Sequence, residues 1–160
     1  VPVKFRDNDV FLIPVVDGVP AVGHVVLKIG GGNMLVTLYS GRSELGENGD
    51  LSWLSSSRPD FIVETMDLFI KNGTWPVLGS WRSPVESPMP VYKTQFEYDG
   101  PFFEQHVDGS IGRRLTDDEA SRLRRPKSYS PALVEKAVRA LQGLEPWLPV
   151  FDEMRFDDAA

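Results

Sequence analysis

The sequence predicts an α+β fold: a mainly antiparallel β meander or small SH3-like barrel with C-terminal helices packed on it. Two observations point there. The 13 prolines and 14 glycines fall mostly between residues 14 and 112, cutting that region into short extended pieces joined by turns. Helical signals, by contrast, are confined to residues 115–144. An apolar content of 41% and a length of 160 residues suit a single domain over 1–160, β-rich over 8–98, helical over 115–144 and ending in an acidic tail at 152–160.

The elements follow in order. Residues 9–16, Asp-Val-Phe-Leu-Ile-Pro-Val-Val, are apolar on both faces and read as a central strand. Asp17-Gly18 reads as a tight hairpin turn. Residues 21–29 alternate, with Ala21, Gly23, Val25, Leu27 and Ile29 on one face and His24 and Lys28 on the other, as in a half-buried strand. Gly30-Gly31-Gly32-Asn33 turns the chain into a third strand at 34–39, completing a meander. Residues 40–59 read as an irregular polar loop around Trp53. A fourth strand is expected over 61–70, with Ile62, Met66, Leu68 and Ile70 on one face and Asn72-Gly73 closing it. Pro84, Pro88 and Pro90 impose an extended surface path, and 91–98 is the last strand candidate.

Beyond residue 99 the pattern changes. Thr116 and Glu119 are spaced as a capping box, opening a short helix to about Arg124. Ser130-Pro131 opens a second helix over 132–142, ended by Gly143, with Leu133, Ala137, Leu141 and Leu144 on one face and Val134 and Val138 adjacent, a core-facing stripe. The acidic tail is expected to fray or make peripheral contacts.

Chemistry is sparse. Without cysteine the chain can form no disulfide, thiolate metal site or cysteine nucleophile. No apolar run approaches the roughly 20 residues that span a bilayer. The N-terminal residues lack a signal-peptide core, so a cytoplasmic location is expected. Gly30-Gly31-Gly32 is followed by a strand and no Lys-Ser/Thr, so it is a turn and not a phosphate loop. Neither His24 nor His106 has a second histidine at i+2 or i+4. His24 reads as a polar-face strand residue. His106 could pair with Glu104 or Asp108, but a solvated loop outweighs a catalytic site. No enzyme activity, cofactor or metal is expected. A net charge of −6 disfavours direct nucleic-acid binding, although Arg113, Arg114, Arg122, Arg124, Arg125 and Lys127 form an opposing basic cluster. Pairing within the chain slightly outweighs an anionic ligand for that cluster.

Asp9-Val-Phe-Leu-Ile-Pro14, Gly23-His-Val-Val26, Trp75-Pro-Val-Leu-Gly79 and Pro88-Met-Pro-Val-Tyr92 occur in the order and approximate spacing of the immunity protein 26 family, which this chain resembles over about residues 8–98. Asn8 stands where that pattern often has glycine. The resemblance implies a bacterial protein of a polymorphic toxin or contact-dependent inhibition system. Such a protein binds and neutralises the C-terminal domain of a cognate toxin, such as a nuclease, without catalysis. Glu44, Glu47 and Asp50 beside Trp53, together with Trp81, are the candidate partner-binding residues, an acidic patch with aromatic anchors. The alternative is a general protein- or nucleic-acid-binding barrel that uses the Arg cluster and exposed tryptophans.

Overall fold

Residues 1–40, 49–84 and 89–156 are described in a computed structural model of the chain. In chain order the strands are β1 (Asp9–Ile13), β2 (Ala21–Gly30), β3 (Asn33–Tyr39), β4 (Phe61–Met66), β5 (Val77–Ser80), β6 (Val91–Gln95), β7 (Phe102–His106), β8 (Ile111–Arg114) and β9 (Ser128–Tyr129). The helices are α1 (Leu68–Lys71), α2 (Asp117–Arg122) and α3 (Pro131–Leu141), with 3-10 turns at Ser52–Ser56 and Pro149–Met154. The fold is α+β. The described residues form two units, one of residues up to 84 together with 128–156, the other of residues 89–127.

The first unit is built on an open sheet in the order β5-β1-β2-β3-β4-β9. The meander β1-β2-β3-β4 is antiparallel throughout, and only β9 joins in parallel. Among the described residues this sheet does not close, so the meander holds and the barrel alternative does not. The β2–β3 turn is Gly31-Gly32, with φ of +63° and +82°, the left-handed pair that a two-residue hairpin loop requires. The β1–β2 connection instead spans seven residues, 14–20, so Asp17-Gly18 is part of a wider loop and not a two-residue turn.

One face of the sheet carries the main core. Phe11, Ile13, Ala21, Val25, Val36, Leu38, Phe61 and Val63 meet Val134, Ala137 and Val138 of α3 there. Phe11 stacks on Trp75, with ring centroids 5.4 Å apart, and Phe69 meets the same indole edge-on. Phe11 lies opposite Gly23 in register. A Cβ at Gly23 would come within 2.6 Å of three Phe11 ring carbons, so the ring occupies the space that any other residue would fill. The buried face of α3 is Pro131, Val134, Ala137, Val138 and Ala140, while Leu133 and Leu141 are half-buried and Leu144 is exposed. Of the stripe expected from the sequence, Ala137 and the adjacent Val134 and Val138 form the buried part, and Leu144 lies outside it.

Three further expectations are corrected. The fourth strand ends at Met66, and its buried residues are Phe61, Val63 and Thr65, not the even-numbered set. Asp67 stops the strand, since its carbonyl accepts from the N–H groups of Ile70 and Lys71 and starts α1. Met66 and Leu68 are thereby exposed while Ile70 is buried. Residues 149–154 pack as a 3-10 turn with Phe151 and Met154 buried, so this part of the acidic tail is anchored and not frayed. Trp147 joins them, stacked on Phe61 at 6.3 Å and edge-on to Phe151 at 5.4 Å. Finally, the segment 91–98 is not the last strand, because β7, β8 and β9 lie beyond it.

The second unit is a three-stranded antiparallel sheet, β6-β7-β8, with α2. The capping box forms as the sequence predicts: the Glu119 N–H donates to Thr116 Oγ1 at 3.2 Å, and the Thr116 N–H donates to Glu119 Oε1 at 3.1 Å.

Candidate functional site

The second face of the six-stranded sheet carries a small apolar cluster of Val10, Val22, Tyr39 and Leu54, against which Leu51, Trp53 and Trp81 pack. The 3-10 turn Ser52–Ser56 lays Trp53 edge-on to Tyr39, with centroids 5.4 Å apart and the planes at 90°. The backbone N–H of Trp81 donates to the Asn8 carbonyl at 2.9 Å, and its indole Nε1 donates to Ser55 Oγ at 3.0 Å. Both tryptophans are half-buried, and each spends its apolar face on its own sheet.

Asp50 opens the segment that carries Trp53. Its Oδ1 accepts the Ser52 N–H at 2.9 Å, a local turn contact, and hydrogen bonds from Ser52 hold its pKa below the usual carboxylate value. The acidic patch expected from the sequence is thus placed only in part. Asp50 is exposed beside the cluster, Trp53 and Trp81 come together on it, and Glu44 and Glu47 lie outside the described residues.

His24 lies on this same face of β2, buried, with Nε2 2.7 Å from the Trp81 carbonyl oxygen. Burial pushes its pKa down. The Trp81 and Asn8 backbone contacts and the charge of Asp9 oppose that shift. Its polar face is therefore an interior one, where the imidazole ties β2 to the segment after β5.

His106, Glu104 and Asp108 fall on or just after β7 in the second unit. Glu104 is engaged by Arg113, with Nε to Oε1 at 3.2 Å. Asp108 Oδ1 accepts the Ser110 N–H at 2.9 Å across the β7–β8 turn, and bonds from the Ser110 side chain and backbone lower its pKa. These contacts account for both carboxylates as structural groups. Among the described residues no group of three or more His, Asp or Glu side chains is placed to hold a metal ion.

The basic cluster is exposed, and three of its members, Arg113, Arg122 and Arg125, bond to side chains of their own unit. Arg113 forms ion pairs with Glu119 and Glu104, and Arg122 Nη2 lies 2.7 Å from Asp118 Oδ2. The Arg113 guanidinium and the Thr116 N–H hold the Glu119 pKa down at about 2. Arg125 donates to Gln95 Oε1 at 3.2 Å and rests over the Phe102 ring, which Lys93 also covers. Arg113 thereby fastens α2 to the small sheet through Glu104 and Glu119, Arg125 ties the following segment to β6 through Gln95, and the Arg122–Asp118 pair lies within α2.

No family model matches the chain, and neither a curated protein nor a solved structure gives a significant match. No helix among the described residues is long and apolar enough to cross a membrane.

The feature that sequence reasoning missed is the β6–β7 hairpin tip, residues 96–101. It holds the most exposed aromatic side chain, Tyr98 at 95% of its full accessibility, and Phe96 at 66%. Its signal lies in Phe96-Glu-Tyr-Asp-Gly-Pro101, where Asp-Gly-Pro marks a turn, and the strand expected over 91–98 ends at Gln95.

Proposed function

We propose that the protein is an immunity protein: it binds the C-terminal domain of a cognate bacterial toxin in the cytoplasm and neutralises it stoichiometrically. One observation carries the reading. Three of the four segments that resemble the immunity protein 26 pattern supply neighbouring strands, β5-β1-β2, and their most distinctive residues meet; the fourth runs into β6 of the other sheet. Phe11 from the first segment lies over Gly23 of the second and stacks on Trp75 of the third. Each motif is thus a dependent part of one packing unit, which gives a physical reason for the three to occur together in one sequence. Inhibition by occupancy asks only for a rigid scaffold with exposed side chains of complementary charge. A sheet covered on both faces and a net charge of −6 meet that requirement.

The test is co-expression with the toxin domain encoded immediately upstream of the chain's gene. The reading expects cell survival and co-purification of the two at one-to-one stoichiometry. Death of co-expressing cells, with no complex recovered, would overturn it.

A further inference from the structure

We infer that the β6–β7 hairpin tip is the element that enters the partner, and that it fits a basic cleft on a protein surface. The inference rests on the toxin-binding reading and names the contact through which it works. Tyr98 is 95% exposed and Phe96 66% exposed, at positions where the chain gains nothing from displaying aromatic surface to water. The tip is also held in shape. Gly100 N–H donates to the Glu97 carbonyl at 2.9 Å, and Gln95 Nε2 donates to the Gly100 carbonyl at 2.8 Å. Gln95 is itself fixed by Arg125 at 3.2 Å, and Phe96 leans on Phe103 with ring centroids 5.6 Å apart. Asp99 takes a left-handed φ of +57°, a conformation that Asp tolerates better than most residues. A pre-shaped loop loses little conformational entropy on binding, and a tyrosine on such a loop adds large contact area with few rotatable bonds.

Charge selects the partner. Glu97 and Asp99 flank Tyr98, both exposed, and among the described residues neither has an ion-pair partner. An aromatic ring between two carboxylates matches a cleft lined by lysine and arginine, the kind of surface that otherwise holds a polyanion. Such a tip would both anchor in that cleft and exclude the polyanion from it.

The experiment measures binding of the full chain to the purified toxin domain encoded immediately upstream, with association and dissociation resolved at low and high salt. Tyr98→Ala is expected to weaken binding by about thirtyfold or more, mostly by faster dissociation. The pair Glu97→Gln with Asp99→Asn keeps the turn-compatible side chains and removes the charge. It is expected to slow association about tenfold at low salt and to converge on the parent chain at high salt. Both variants should melt at the parent temperature, because the altered atoms face water. Binding by the parent chain that neither variant changes overturns this inference and leaves the function reading intact. Failure of the parent chain to bind overturns the function reading and this inference with it. Self-association of the chain that Tyr98→Ala abolishes would assign the tip to a second copy and also overturn the inference.

Discussion

Replacing Gly23 by alanine tests the packing unit on which the scaffold depends. The added methyl would come within 2.6 Å of three ring carbons of Phe11, whereas carbon atoms pack at roughly 3.5–4.0 Å. Either the ring moves by about 1 Å or β1 and β2 separate. Movement is opposed by Trp75, stacked on the other side of the ring at 5.4 Å, and both side chains are fully buried. Overpacking a tight core costs about 1–3 kcal/mol, and expelling a buried phenylalanine costs about 3–5 kcal/mol. The expected loss is therefore about 3 kcal/mol, or roughly 6–12 °C in Tm for a chain of this size. Urea unfolding followed by tryptophan fluorescence measures it, with an unchanged slope showing that the same surface is exposed. Phe11→Leu in the Gly23→Ala background should restore part of the loss, since the smaller side chain vacates the ring's position. A Gly23→Ala chain within about 0.5 kcal/mol of the parent, the range of a neutral surface change, would refute the reasoning.

Other consequences can be checked separately. Gln142 donates to the Val19 carbonyl and Ser40 Oγ and accepts from the Val19 N–H, so Gln142→Ala should cost about 2 kcal/mol in the same unfolding assay. Thr116→Ala removes the acceptor for the Glu119 N–H and should cost about 1 kcal/mol, localised by faster amide exchange in α2. His24 has a folded pKa below its ordinary 6.5 because it is buried, so the unfolded chain takes up its proton first as pH falls. Stability should be full above pH 6.5 and decline below it, and His24→Gln should flatten that decline in unfolding measured from pH 7.5 to 5. Glu119 behaves with the same sign at lower pH: its contribution is present above its ordinary 4.5 and disappears as pH falls toward about 2. Glu119→Gln should therefore reduce the acid sensitivity of α2 in circular dichroism.

The legible parts of the fold were those where one local signal dominates. The meander could be read because alternation in 21–29 and the triglycine turn agree, and α2 because Thr116 and Glu119 form a capping box at the right spacing. The errors came where two signals compete. In 61–70 the even positions are the more apolar, yet the core takes Phe61, Val63 and Thr65. Thr65 Oγ1 is buried at no polar penalty because it donates to the Tyr129 carbonyl at 2.7 Å. That partner lies 64 residues away in sequence, so no local pattern could announce it. Phe151 and Met154 were hidden in the same way, by the acidic residues around them. For the candidate site, the sequence named Trp53 and Trp81 without showing that both pack on the cluster of Val10, Val22 and Tyr39. Whether a turn-region aromatic faces its own sheet or water is decided by tertiary contacts, and those separate Trp81 from Tyr98.

The central claim is that this chain acts by occupying a toxin, and a titration of toxin activity tests it most directly. Adding increasing amounts of the purified chain to the upstream-encoded toxin domain should abolish its activity along a straight line that reaches zero at one equivalent. A toxin domain that remains fully active with the chain in large excess would contradict the account.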